Sequence, residues 1–385
     1  MNILLITPFL PYPGVSHAGG KLVFHLLSTL CGNHEVTLVS RVFPGEERQV
    51  EWLRSRVSGI ETVAADGPIV PGSLRSVLRT ALSYRRMARK ALEVLRRGRF
   101  DICQVEHTEA AIFFRPPKDL PATLTLHDVK AKPAYRRYEA GRGSSRWFHW
   151  LFWRATRVVE GRAASSYKLV LTLSDVDRDW AKRTYPGLPL RVLRYPAGLE
   201  FRGRPRTEVP GRVLFVGALN RPENVEAIRY LLTHVWPAVR KRHPGAQWWV
   251  VGGGMEEGLR KELETDPRIR VTGRVESVEE YYASAALFVA PILSGGGIIV
   301  KIQDAMAAGV PVVTTPFGNE GIGGNEGKEI LVSGSPEQFL ANVLSLLEDP
   351  VLRKTVGDAG KRFVRDQYSE EGFRETLESI YSSLL

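Results

Sequence analysis

The sequence predicts an α/β protein built as two doubly wound, Rossmann-like parallel-sheet domains, on three observations. Short apolar runs alternate with helical patterns along the chain, the same alternation occurs twice, and a Pro-, Gly- and Arg-rich segment at residues 183–211 separates the two halves. Strands buried on both faces and interleaved with helices form parallel sheets. At 385 residues the chain is long for one domain and ordinary for two.

The strands of the first half are expected at "NILLIT" (2–7), "EVTLVS" (35–40), "DICQVE" (101–106), "ATLTLHD" (122–128) and "KLVLTLS" (168–174). Those of the second half are expected at "RVLFVGA" (212–218), "QWWVVGG" (247–253), "RIRVTG" (268–273), "LFVAPI" (287–292) and "VPVVTT" (310–315). "MNILLIT" has neither the basic start nor the cleavage site of a signal peptide and reads as a first strand. No apolar run reaches membrane-spanning length, and Cys31 and Cys103 sit in apolar contexts without ligand spacing. Both thiols read as core residues in a reducing compartment, so a cytoplasmic location is expected.

The net charge of +11 is unevenly placed. Residues 1–200 carry 31 Lys and Arg against 18 Asp and Glu, a net of +13, whereas residues 201–385 carry 22 against 24, a net of −2. Such an excess suits a nucleic acid, an anionic membrane or an acidic substrate. Residues 74–100 place Leu, Val, Ala and Met at helical spacing with arginines between, as interfacial amphipathic helices do; residues 145–157 pack aromatics among arginines. A core-packed helix with a solvated basic face is the competing explanation for both. Nucleic acid is not expected, because no reader motif is present and the basic residues fall on helices more than along a groove.

The most unusual stretch is "SGGGIIVKIQDAMAAGVPVVTT" (294–315). A tight turn with an exposed Lys301–Asp304 pair accounts for one glycine, but three in a row are entropically costly and need a reason. An anion site supplies one. Backbone N–H groups at a helix N-terminus face a phosphate that only glycine lets approach, Lys301 adds a charge, and Asp304 accepts from sugar hydroxyls. "GGGMEEG" (252–258) has the spacing of a dinucleotide fingerprint, but the next strand does not end in the ribose-binding carboxylate. No Walker A sequence is present, and the His and Cys residues are too scattered for a metal site.

Two Rossmann-like halves and the run "TGRVESVEEYYASAALFVAPILSGGGIIVKIQDAMAAGVPVVTT" resemble a GT-B glycosyltransferase, in particular the fourth family of retaining nucleotide-sugar enzymes. "TPFLPYPGVSHAGG" (7–20) resembles its first Gly-rich loop, and "TLHD" (125–128) its central histidine segment. The resemblance implies domains at 1–190 and 205–365, with a last helix (366–385) returning to the first. In its site, Gly19 and Gly20 face the donor diphosphate and Arg274 and Val275 meet the base through their backbone. Gly217, Arg221, Gly295, Gly296, Gly297, Ile298 and Lys301 surround the phosphates, and Asp304 holds the ribose. His127, oriented by Asp128 unless that residue caps the next helix, meets the transferred sugar or the acceptor, with Glu106 and His107 lining the acceptor side. His127, Asp128 and Lys301 are the expected catalytic groups, without metal or other cofactor.

The chain departs from the family pattern where Gly296 replaces the first glutamate of the E-x7-E motif and Asp304 the second. The function implied is transfer of a hexose-type sugar from a nucleotide-diphosphate sugar to a glycan or lipid-linked acceptor. It implies cell-surface polysaccharide or glycolipid synthesis, with an anionic membrane surface as a further partner. A GT-B nucleotide-sugar epimerase and a non-catalytic nucleotide-sugar-binding subunit are the alternatives.

Overall fold

The computed structural model describes residues 1–15, 17–65, 67, 73–201 and 205–385. Ser16 of the 7–20 loop and residues 202–204 of the 183–211 segment therefore lie outside the described residues. The chain divides into two compact units: residues 1–195 with 371–385, and residues 196–370.

Unit 1 holds β1 (Asn2–Thr7), β2 (Glu35–Val42), β3 (Gly59–Ala64), β4 (Ile102–Glu106), β5 (Ala122–Leu126), β6 (Leu169–Thr172) and β7 (Leu190–Val192). They form one parallel sheet in the order β3-β2-β1-β4-β5-β6-β7. The order reverses between β1 and β4. Right-handed crossovers therefore set helices Ala18–Asn33 and Glu47–Arg54 on one face of the sheet, and helices Leu74–Arg97, Thr108–Phe113 and Gly143–Ala164 on the other. Helix Thr108–Phe113 packs against both of its neighbours on that face. Helix Leu74–Arg97 buries Tyr84, Met87, Ala88, Ala91 and Val94, a stripe at three- and four-residue spacing that meets the core strands.

The last helix, Glu370–Ser382, buries Phe373, Leu377, Ile380 and Tyr381. Leu384, four residues beyond Ile380, lies past the end of the helix, and Tyr381 takes an inward place instead. Tyr381 donates to Gln104 Oε1 at 3.2 Å, and Glu378 Oε1 meets His34 Nε2 at 2.8 Å.

Unit 2 repeats the plan with β8 (Arg212–Val216), β9 (Gln247–Val251), β10 (Ile269–Val271), β11 (Leu287–Ala290), β12 (Val312–Thr314) and β13 (Leu331–Val332). All pair in parallel, in the order β10-β9-β8-β11-β12-β13. Each of the ten anticipated strands is present, with ends shorter by a residue or more in most cases. The three that were not anticipated, β3, β7 and β13, are all edge strands. β3 and β7 are half exposed and carry no continuous apolar run, the feature by which a buried strand is recognised. β7 lies inside the segment read as linker, so that part of it is sheet.

Candidate active site

In doubly wound sheets a ligand binds beyond the carboxyl ends of the strands, where the strand order reverses. Unit 1 has that point between β1 and β4, and unit 2 between β8 and β11. The residues singled out in the sequence gather at both.

In unit 2 the glycine turn leaves β11 and opens helix Val300–Ala307. Gly295 and Gly297 have φ of 119° and 71°, the left-handed region that favours glycine. Ile299 caps the helix without a side-chain hydrogen bond, so the first amides of the helix receive no side-chain cap. Lys301, in the first turn, is not half of an exposed pair with Asp304. Its Nζ donates to Asn224 Oδ1 and stands 4.4 Å from the centre of the Phe215 ring. Phe215 belongs to β8 and Asn224 to helix Pro222–Tyr230 after it, so Lys301 ties together the two loops that flank the switch point. Asn224 in turn donates to Ala218 O at 2.8 Å, and a Cβ on Gly217 would come within 2.8 Å of its amide nitrogen.

Lys301 is only partly buried as a residue, yet its ammonium end is enclosed by protein. Burial pulls its pKa down to about 7, with Glu223 opposing that shift and Arg221 adding to it. An enclosed amine with a neutral partner is poorly compensated as a cation, and an anion beside it restores the charged form. Asp304, three residues on, is 6% exposed. Arg221 is exposed, with Glu223 at 3.8 Å, and Arg274 is exposed as well. Val275 packs partly against the unit 2 core. The second glycine run has a packing explanation. Gly252, φ 140°, lies so close to Gly217 that a Cβ would fall 1.9 Å from its carbonyl oxygen.

In unit 1, His127 stands just beyond β5, 6% exposed. Its Nε2 lies 2.6 Å from Glu106 Oε2. Asp128 was expected to orient it or to cap the next helix. It does neither: it is paired with Lys130 at 3.3 Å, and helix Ala131–Ala140 starts at Lys130 without a side-chain cap. The register explains the difference. Glu106 sits opposite Thr125, and His127, two residues further on, points to the same face, whereas Asp128 points away from it.

Glu106 is fully buried and accepts from Gln104 Nε2 at 2.6 Å, Thr125 Oγ1 at 2.8 Å and Tyr195 Oη at 3.0 Å besides the imidazole. Four donors on one carboxyl group lock the ring that it holds. His107 stacks on His127 with ring centres 3.6 Å apart. It is the only non-glycine residue with positive φ (69°) among the described residues, a conformation that costs about 1–3 kcal/mol. Burial first, then the charges of His127, Lys130 and His17, hold its pKa well below the ordinary histidine range. Its Nε2 has no hydrogen-bond partner within the described residues. Gly19 lies against this ring, since a Cβ there would meet His107 Cε1 at 3.1 Å, and Gly20 is crowded by Val15 at 2.6 Å. Gly20 is thus required by the packing of its own loop, and a side chain at Gly19 would press on the His107 ring.

Asn224 is the site residue that sequence reasoning missed. Its signal was a buried-side amide two residues after the helix-opening Pro222. Gln104 and Tyr195 were missed too. The alternation Gln104, Glu106 in an otherwise apolar central strand was the available sign of a polar network on one face. Among the described residues no cluster of three or more His, Cys, Asp or Glu is placed to hold a metal ion.

Residues 19–194 match the family model described as Glycosyltransferase Family 4, and residues 210–349 the model described as Glycosyl transferases group 1. An uncharacterized 44.6 kDa protein in the cps region of Klebsiella pneumoniae is 26% identical over 166 residues, 41% of this chain and 43% of that protein. A GDP-mannose-dependent monoacylated alpha-(1-6)-phosphatidylinositol monomannoside mannosyltransferase of Corynebacterium glutamicum is 31% identical over 163 residues, 40% of this chain and 43% of that enzyme. The chain thus matches less than half the length of these curated relatives. Among solved structures, sucrose-phosphate synthase from Thermosynechococcus elongatus superposes with a TM-score of 0.74 at 16% identity, covering 100% of this chain and 98% of that one.

Proposed function

We propose that this chain, a glycosyltransferase by its family matches and of GT-B fold, transfers a hexose-type sugar, with retention, from a nucleotide-diphosphate sugar to a glycan or lipid-linked acceptor. Cell-surface polysaccharide or glycolipid synthesis is the process this serves. The observation that carries the proposal is the enclosed Lys301 ammonium at the glycine turn, beside helix amides without a side-chain cap.

As the sugar leaves with oxocarbenium character, negative charge grows on the departing diphosphate. Donors already aimed at that charge lower the barrier without reorganising. Lys301, the amides of the turn from Gly295 to Ile298 and the loop at Gly217 and Arg221 take this role. Asp304 takes the ribose hydroxyls, and Arg274 and Val275 meet the base. In unit 1, His127, held through Nε2 by Glu106, hydrogen-bonds the transferred sugar or the acceptor. Asp128 has no part in this.

A thermal-shift panel of UDP, GDP, ADP and dTDP with their sugars tests the donor half. A nucleotide at 100 times its dissociation constant stabilises the fold by about 2.7 kcal/mol. Failure of every nucleotide to raise the melting temperature would overturn it. Product analysis without acceptor separates the alternatives, since an epimerase would convert the donor sugar and a silent binding subunit would leave it intact.

A further inference from the structure

Helix Gly143–Ala164 carries an apolar face that the described residues leave largely exposed. Trp147, Phe148, Leu151, Phe152, Val158 and Val159 are 66%, 64%, 40%, 49%, 45% and 45% exposed. At 100° per residue these six fall within about 140° of the helix circumference. The opposite side buries Glu160, Ala163 and Ala164 and rests Trp153 against the core. Glu160 is the only acid of this helix, and it is spent internally on Tyr185 Oη and the amides of Lys130 and Ala131. The charges left outside are therefore all cationic: Arg146, Arg154 and Arg162 are exposed.

The same side of the unit 1 sheet carries a second such stripe. Helix Leu74–Arg97 exposes Leu74, Val77, Leu78 and Leu82 by 72%, 47%, 55% and 52%, next to exposed Arg75 and Arg79. Helix Thr108–Phe113, which packs on both long helices, adds Ile112 at 41%.

Soluble proteins seldom leave large apolar patches of this kind facing water. We propose that this face of unit 1 docks on an anionic lipid surface, with the Trp147–Phe152 segment inserted at headgroup depth and the arginines held by lipid phosphates. Aromatic side chains interleaved with arginines suit an interface that is apolar below and anionic above. Charge decides against a second copy of the chain as the occupant. A two-fold contact would set these arginine-bearing faces against each other with no acid on the Gly143–Ala164 face to neutralise them. The inference stands on unit 1 alone and does not depend on the donor site; if both hold, the enzyme is held where a lipid-linked acceptor lies.

The test is co-sedimentation of the full chain with vesicles of phosphatidylglycerol and phosphatidylcholine, against pure phosphatidylcholine, across a salt series. Quenching of tryptophan fluorescence by brominated acyl chains is read in parallel. Wild type is expected to bind the anionic vesicles at low salt, lose them at high salt and be quenched. Each large side chain withdrawn from water contributes about tenfold or more to partitioning, so Trp147→Ser with Phe148→Ser should lower binding about 100-fold. An unchanged melting temperature and an unchanged far-ultraviolet circular dichroism spectrum show that this variant is folded. Indifference of wild type to anionic vesicles, equal binding by the variant, or binding without quenching would overturn the proposal. So would a concentration-dependent dimer, abolished by the variant, with no vesicle binding.

Discussion

The two units share one strand order and one switch-point geometry, yet their candidate sites are built on opposite principles. Unit 1 surrounds the fully buried Glu106 carboxyl group with four donors, one of them the His127 imidazole, whose position is thereby locked. Unit 2 presents a turn with two positive-φ glycines and an enclosed amine held by a neutral amide and an aromatic ring. A satisfied network holds a group still, whereas an unsatisfied one waits for a ligand to complete it. The same architecture therefore holds a locked imidazole in one unit and, in the function proposed above, would receive an anion in the other.

The strongest way to break this contrast is His127→Ala. The transfer rate is expected to fall roughly 10- to 100-fold, as for loss of a positioned hydrogen bond of about 1.5–3 kcal/mol to the reacting groups. Nucleoside-diphosphate affinity, a unit 2 property, should not change. A parallel loss of affinity in calorimetric titration would mean that the two sites are not separable.

Lys301→Ala is expected to do the reverse. A charge-assisted hydrogen bond contributes about 1.5–3 kcal/mol, so nucleoside-diphosphate affinity should drop roughly 10- to 100-fold with the fold intact. Equal affinities for mutant and wild type would show that the lysine does not face the phosphates.

The pH dependence sharpens the same point. Free Lys301 loses its proton near pH 7, so binding a diphosphate above that pH must take a proton up, and affinity should fall by up to about tenfold per unit. Lys301→Gln removes that slope. The empty protein behaves oppositely. Its folded pKa lies below the ordinary 10.5, so the unfolded chain holds more protons between pH 7 and 10.5, and stability rises with pH across that window. Melting curves from pH 7 to 10 check this.

The smallest effect is expected at Asp128→Asn. Its pair with Lys130 is partly exposed, 35% and 37% at the two side chains, and Lys130 keeps Glu109 at 3.1 Å. Such pairs contribute about 1 kcal/mol or less, and the transfer rate should change less than twofold. A loss as large as that of His127→Ala would reinstate Asp128 as a catalytic partner.

The sequence by itself determined the doubled parallel-sheet plan, because short apolar runs bounded by turn residues alternate with longer helical patterns, and do so twice. It also pointed to the glycine turn with Lys301, since three adjacent glycines need a reason, and to His127 at a strand end. What it left undecided follows from how parallel strands meet. Residues 106 and 127 are brought side by side only by the register of β4 against β5, so the carboxylate set against His127 is Glu106 and not Asp128, its neighbour in sequence. Asn224 reaches Lys301 across 77 positions for the same reason. β3 and β7 escaped notice because a strand with one neighbour need not be apolar on both faces, and β13 because two residues leave no run to recognise. Exposure of the Trp147–Phe152 face was likewise a tertiary decision. Amphipathic patterning marks which residues share a side of a helix, and only packing against the rest of the unit settles which side is left to water.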